Sequence, residues 1–441
     1  MKITTYAMAG LLLLSTVACR KNTDLDSSFD IQVQLAYSDK KVDSKLPISS
    51  IKLTLLNLQN NSKITLTDLN ANTKINNLTP GSYDISASVT FSREEYLKLT
   101  GEDPGAAVSF NFAYKNRLLN KSEILDLQLI AGTLGDFVIK QIYYAGSDNK
   151  VGALFRDQFI EIYNNTDQVL YADSLYVARL YGRQSTTSKI YYFQPNEQYD
   201  WSKSQGMPAD LAATANTHYS YVRELFMIPG NGKTYPVQPG ASIIIAQNAL
   251  NHKMPFVGAD GKEITIKDPS LTVDLSQADF ETYYAKLPGV NPLASDIDNP
   301  NVPNLEILEY NGRDMILDNP GRDAFAIFKG KTRAEVSALA QYTEPTLAAP
   351  STTAKRYVQL PNAWLMDAVE IQPNLPASRL PKKLWTAQDA GFTFAQDGAY
   401  SSQSVMRKTS HTENGRKVLK DTNNSTEDFI SIKANPRGFA D

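Results

Sequence analysis

The residues able to do chemistry are few and widely scattered. The chain has one cysteine in 441 residues, Cys19, so no intrachain disulfide is available. Its three histidines, His218, His252 and His411, have no other His or Cys at metal-ligand spacing, and H-E-x-x-H is absent. There is no G-x-S-x-G and hence no nucleophile elbow. "GNGKT", Gly230–Thr234, hints at a phosphate loop. The earlier glycine of such a loop would fall at Met227, and the following "YPVQPG" cannot open a helix, so that reading fails. Glu94 and Glu95 are neighbours in "REEYLKL", a stretch that suits a helical turn or two. Adjacent carboxylates diverge, so this pair reads as a solvated face. "ASDIDNPNVPN" offers Asp296, Asp298, Asn299, Asn301 and Asn304, oxygen donors of the kind calcium accepts. It lacks the glycine turn and bidentate glutamate of a calcium loop and reads better as an Asx- and Pro-rich connection. "IYYFQPNEQYDWSKSQ" concentrates Tyr191, Tyr192, Phe193, Tyr199 and Trp201. Such rings either pin a segment to the core or form a recognition patch with large contact area and polar handles. Packing is the more common outcome. The sharper expectation is that some of Tyr191, Tyr192, Tyr199 and Trp201 are exposed and contact a partner. No catalytic residue, metal site or cofactor is assigned.

The position of Cys19 is informative. Met1 and Lys2 lead into an apolar stretch, Tyr6–Leu14, that ends in four leucines; Ser15, Thr16, Val17 and Ala18 precede the cysteine. A positive start, a short apolar core and small residues before a cut site describe a secretory signal. The run falls short of the ~20 residues that span a bilayer. With the cysteine at its end the segment resembles a bacterial lipoprotein signal. That resemblance implies cleavage after Ala18, acylation of Cys19 and membrane attachment through several fatty chains. Thr16 departs from the leucine usual three residues before the cysteine. The alternative is an ordinary secretory leader with Cys19 incidental. Residues 1–18 are therefore read as signal peptide and the polar 19–28 as a tether.

The elements that must position any site are strands. Apolar residues make up 42% and aromatics 10%, enough for real cores, and roughly 420 residues after the leader allow two or three domains. The net charge of −3, without a long basic run, does not suit phosphate-backbone binding, so no nucleic acid partner is expected. No second long apolar run suggests a spanning helix. From Phe29 the pattern has period two: Phe29, Ile31, Val33 and Leu35; then Ile51, Leu53 and Leu55; then Tyr83, Ile85, Ala87, Val89 and Phe91. Strict alternation predicts half-buried strands of a sandwich. In "INNLTPGSYDISAS", Pro80 and Gly81 suit a tight turn, with Gly81 expected at positive φ. This stretch resembles the strand-turn-strand of carboxypeptidase-regulatory-like, prealbumin-like sandwiches, which implies a non-catalytic β-sandwich over 29–131.

A second strand set begins with "FVIKQIYYAG" and "DQFIEIYNNTDQVLYADSLYV", where Phe159 and Tyr163 share one strand face and Ile160 and Ile162 the other. "VQPGASIIIAQNAL", "GRDAFAIFKG", "NAWLMDAVEI" with Asp367, "QSVMRKT" with Ser404 and Arg407, and "DTNNSTEDFI" follow. Taken in order, these pieces resemble a lamin-tail-type immunoglobulin-like sandwich. That implies a second β-sandwich over 134–441, enlarged by insertions near 183–235 and 250–320 that contain some helix. The whole arrangement resembles an uncharacterised family of Bacteroidota surface lipoproteins. It implies a mainly β, lipid-anchored protein of the outer membrane, on its cell-surface or periplasmic face, and brings no established activity. The expected role is binding or scaffolding, with a place as accessory to an outer-membrane uptake receptor drawn by analogy with similar surface lipoproteins. Two rival classes are a hydrolase whose carboxylates converge only in the fold, and a passive adhesion component.

Overall fold

The computed structural model describes residues 28–104, 107–133 and 135–440. The leader, Cys19 and the tether up to Ser27 lie outside the described residues. The protein is mainly β, with short helices between strands. No described helix is long and apolar enough to cross a membrane.

Seven strands fill the first part: β1 (Phe29–Tyr37), β2 (Lys52–Asn57), β3 (Lys63–Leu66), β4 (Asn72–Leu78), β5 (Gly81–Phe91), β6 (Val108–Leu119) and β7 (Ile124–Thr133). They are ordered β3-β2-β5-β6-β7-β1-β4. β7 joins the two layers. Its end, Ile130–Thr133, pairs with β6, whereas Ile124–Leu129 runs parallel to β1. The alternating residues of β1, β2, β5 and β7 meet in one core that includes Val33, Leu53, Ile85 and Leu127. At the β4–β5 turn the glycine is required for a different reason from the expected one. Positive φ falls on Asn77 (55°) and not on Gly81. A Cβ on Gly81 would instead lie 2.7 Å from Gln59 Oε1 and 2.8 Å from Asn57 Nδ2. "REEYLKL" forms the helix Arg93–Thr100, and Glu95 closes its capping box by accepting from Ser92 N–H at 2.9 Å.

The second part is two facing sheets. One is ordered β17 (Phe280–Glu281), β14 (Ser242–Ala246), β9 (Phe159–Asn164), β8 (Phe137–Tyr143), β23 (Gln403–Arg407), β26 (Phe429–Lys433). The other is ordered β20 (Gln341–Thr343), β21 (Arg356–Pro361), β12 (Tyr219–Met227), β11 (Tyr176–Tyr181), β19 (Ala324–Phe328), β22 (Leu365–Glu370), with β18 (Glu306–Glu309) also on β12. Small two-stranded pairs join β10 (Leu170–Tyr171) to β13 (Pro236–Val237), β15 (Phe256–Val257) to β16 (Glu263–Ile264), and β24 (Thr409–Glu413) to β25 (Arg416–Leu419). Ile160, Ile162, Ile245 and Val405 from one sheet pack on Val177, Phe226, Ile327 and Val369 from the other.

Two features depart from the sequence reading. The stretch 183–235 contains β12, which is a central strand and no insertion. Moreover β8, β9 and β19 are buried along their whole length. Their outer faces are covered: Tyr143, Phe159 and Ile244 by Val273, Leu275 and Val302, and Tyr176, Ala178 and Phe328 by Val336, Leu384 and Trp364. A strand covered on both sides has no solvent face, so polar residues within it must find partners inside. Lys140 does so with Glu161 at 2.8 Å, its ammonium 3.9 Å from the Phe439 ring centroid.

The largest such cluster bridges the sheets. Arg407 on β23 reaches Asp367 on β22 at 2.5 Å, Asp421 at 3.0 Å and Asp428 at 3.5 Å. It also donates to the carbonyls of Ile139 on β8 (2.9 Å) and Lys420 (3.1 Å). Removing the one cation leaves three buried acids without a counter-charge. Arg407→Met should therefore lower stability by ~3–5 kcal/mol, the usual cost of breaking a buried ion pair from one side. Urea unfolding of the purified chain checks this, and a loss below about 1 kcal/mol would show that the cluster does not hold the sheets together.

Candidate functional site

The aromatic stretch that follows β11 builds a rigid base. Tyr199 (3% exposed) and Trp201 (4%) are buried with Tyr221, Tyr342 and Tyr357, and Tyr181, Tyr191 and Phe193 pack around them. Trp201 stacks on Tyr221 with ring centroids 3.7 Å apart, and Tyr181 on Tyr357 at 4.0 Å. The polar tips are satisfied inside: the Tyr181 hydroxyl donates to Glu344 Oε1 at 2.5 Å, and that of Tyr199 reaches the same oxygen at 3.4 Å. The expectation that Tyr199 and Trp201 present themselves to a partner is therefore corrected. Trp201 is covered by face-to-face stacking on Tyr221, and Tyr199 is enclosed by Tyr181, Tyr191, Phe193 and the edge of Trp201.

The neighbouring strip turns outward. Residues 190–192 run antiparallel to 345–347, with Tyr191 bridged to Thr346 and hydrogen bonds of 2.8 Å from Leu347 N to Ile190 O and from Tyr192 N to Pro345 O. Alternation sends Tyr191 inward, onto Tyr199 and Phe193. It leaves Tyr192 (40% exposed), Ile190 (60%) and Leu347 (56%) outside. Of the four aromatic residues singled out in the sequence, only Tyr192 is an exposed ring.

The same base braces a shallow depression of about 420 Å³. Three arginines, none recognised from sequence, hold its walls. Arg183 is buried, stacks 4.2 Å from the Phe193 ring, and donates to the carbonyls of Ser185 and Thr186 at 2.8 Å each, fixing the Gln184–Thr186 wall. Arg322 forms a two-pronged pair with Asp318 at 3.0 and 2.5 Å beside Pro320. Arg379 lies 4.8 and 4.9 Å from the Phe392 and Phe394 rings and donates to the carbonyls of Pro373 and Asn374 at 3.3 and 3.5 Å. The sequence signal for each is an arginine flanked by Gly, Pro or Ser in a loop, which is too common to single one out.

The other chemical candidates are occupied within the fold. The Gly230–Thr234 loop does cradle an anion, but that anion is Asp173: its carboxylate accepts from the backbone N–H groups of Gly232 (3.0 Å), Thr234 (2.8 Å) and Tyr235 (2.9 Å). These bonds hold the Asp173 carboxyl well below the usual carboxylate range, against the upward push of burial. In the Asp296–Asn304 loop, Asp296 accepts from Tyr284 N–H and Ala285 N–H, and Asp298 from the Asn304 amide at 2.7 Å. Among the described residues no group of three or more His, Cys, Asp or Glu is arranged to hold a metal ion. His218 and His411 are exposed, whereas His252 is fully buried beside Phe256, and burial drives its pKa down to about 3.

With this geometry in view, the comparisons with known proteins are as follows. The model of DUF4876, a protein family of unknown function, matches residues 238–436. The crystal structure of a DUF4876 family protein from Bacteroides thetaiotaomicron aligns over 91% of this chain and 94% of its own, with TM-score 0.52 and 24% identity, and shares the fold. A candidate carbohydrate binding protein from Bacteroides uniformis aligns over 50% of this chain and 99% of its own, with TM-score 0.15 and 8% identity. No curated protein matches the sequence. The chain is thus a β-rich protein similar to an uncharacterised family found in Bacteroides.

Two outcomes follow from the site. Trp201→Ala should cost ~3–5 kcal/mol by leaving a cavity in the stacked base, while Tyr192→Ser should leave the melting temperature nearly unchanged. Equal melting temperatures for the two variants would contradict the assignment of Trp201 to the base. The second outcome concerns pH. Burial pushes the carboxyls of Asp157, Glu281 and Asp314 up to about 7. Between pH ~4 and ~7 these groups hold protons in the fold that the unfolded chain has released, so stability falls as pH rises through that window. Asp367 and Asp428, likewise pushed up to about 7, add to this trend, and His252 alone acts in the opposite sense below pH ~6.5 among the groups named here. The melting temperature should be higher near pH 5.5 than near pH 7.5, and Asp314→Asn should flatten the profile. A profile that rises over this interval would overturn the reading.

Proposed function

We propose that this protein is a lipid-anchored binding protein of the bacterial outer membrane, held by acylated Cys19 and acting beside an outer-membrane uptake receptor. In this reading the regulatory-like sandwich at 29–131 carries the lamin-tail-like sandwich at 134–441 away from the membrane. The observation that carries the binding role is the strip of Ile190, Tyr192 and Leu347, exposed on a base of stacked, buried rings. Rigid scaffolds place recognition on loops. Apolar and aromatic side chains fixed in position lose little entropy when a partner covers them.

Two measurements test this. Cys19→Ala should move the protein from the membrane to the soluble fraction of cells, and recovery in membranes at wild-type levels would refute the anchor. Crosslinking in intact outer membranes should capture a membrane protein with the wild type. Capture should drop several-fold with Tyr192→Ser/Leu347→Ser at unchanged melting temperature. Undiminished capture by that double variant would remove the strip from the interface.

A further inference from the structure

We infer that the depression walled by Gln184–Thr186, Pro320–Arg322 and Pro373–Leu380 binds an uncharged carbohydrate. The site is separate from the apolar strip and goes beyond partner docking, though both stand on the same aromatic base.

The first argument is charge. Of the residues lining the depression, Arg322 alone is ionic, and Asp318 neutralises it through two hydrogen bonds. Among these lining residues a phosphate, sulfate or carboxylate ligand would find no unpaired cation and a cationic ligand no free carboxylate. Arg379, which does not line the depression, is engaged with the carbonyls of Pro373 and Asn374 and the rings of Phe392 and Phe394.

The second argument is the chemistry that remains. Gln184 donates its amide to Gly182 O (3.0 Å) and Asn374 to Gln396 O (3.2 Å). Each amide is thereby oriented with its oxygen left to accept. The hydroxyls of Thr186 and Ser378 stand at the same rim and can donate or accept. Sugar hydroxyls need partners of both kinds. The lining also includes the exposed Pro320 and Leu375, the latter 61% exposed, a carbon surface suited to the C–H face of a sugar ring.

The third argument is preorganisation. Each wall is fixed by a guanidinium: Arg183 and Arg379 bond backbone carbonyls of their walls, and Arg322, itself in the lining, is held by Asp318. Sugars gain little from each hydrogen bond in water, so a site for them must lose little entropy on binding. The fourth is topology. No lining residue lies on a strand, so there is no sheet edge to which an extended peptide could add. A volume of about 420 Å³ suits a small ligand or the end of a longer glycan.

Saturation-transfer NMR on the mature chain tests the assignment. The probes are maltohexaose, mannohexaose, xylohexaose and chitohexaose, with a sulfated heparin hexasaccharide and hexaalanine as the other classes. At least one neutral oligosaccharide should receive saturation. Gln184→Ala/Asn374→Ala should weaken its binding at least tenfold, and Ser378→Trp should abolish it by filling the depression. Melting temperatures are measured in parallel, so that either variant can serve should the other unfold. Binding by none of the four neutral probes, by the sulfated or peptide probe alone, or binding that survives both folded variants would overturn the inference. Receptor capture through Tyr192 is read in a separate crosslinking assay, so failure of one reading leaves the other standing.

Discussion

The second sandwich depends on a single guanidinium. Arg407 sits between the sheets with three acids around it, and its donors are taken by Asp367, Asp421 and the carbonyls of Ile139 and Lys420. The acids are tied down in turn. Asp367 accepts from Ile139 N–H at 2.6 Å, and Asp428 from the N–H and hydroxyl of Thr422. One cation cannot offset three buried anions. Burial accordingly pushes Asp367 and Asp428 up to about 7 even with Arg407 beside them. Taking such groups out of water costs several kcal/mol per ion, which only good geometry offsets. That geometry exists in one alignment of β8, β22 and β23, so the cluster selects the relative placement of the two sheets.

The same constraint recurs wherever a strand is covered on both faces. Arg179 lies with Asp323 at 2.5 Å and Glu224 at 2.9 Å, all three buried, and also donates to Ile316 O. Segments laid over the outer faces exclude water, and the exclusion makes these pairs obligatory. In this part of the chain it also leaves loops more open to solvent than the covered strand faces. Arginine suits the loop sites for the reason it suits the interior. Its planar fork of donors can bond two or three carbonyls while its face stacks on a ring. Arg183 on Phe193 and Arg379 beside Phe392 and Phe394 use both properties, and they convert loops into walls.

Much of the architecture was legible from period alone. The alternation in β1, β2 and β5 reports half-buried strands, and each of these has one buried and one wetter face. Cys19 and the apolar stretch before it lie outside the described residues, so the proposed membrane anchor rests on residue order near the N-terminus alone. Periodicity shows which side chains share a face of a strand. It does not show what lies on that face, and β12 was lost inside a supposed insertion because "YSYVRELFM" is buried on both sides and shows no clean alternation.

What the sequence by itself determined is therefore local: strand faces, turns, the capping box at Ser92 and the position of the single cysteine. What only the tertiary structure decided is which groups meet. Asp367 and Arg407 are forty positions apart, and Asp173 lies about sixty positions from the backbone amides that cradle it. Arg183 and Arg379, at opposite ends of the second sheet's sequence, brace two walls of one depression. Tyr199 and Trp201 carry the composition of a recognition patch, yet other aromatic rings cover them, while Tyr192, next to the inward-packed Tyr191, faces out. Residue type sets what a side chain can bond or cover. Chain folding over long separations decides whether water or another side chain reaches it first, and that outcome is not encoded in any short stretch of sequence.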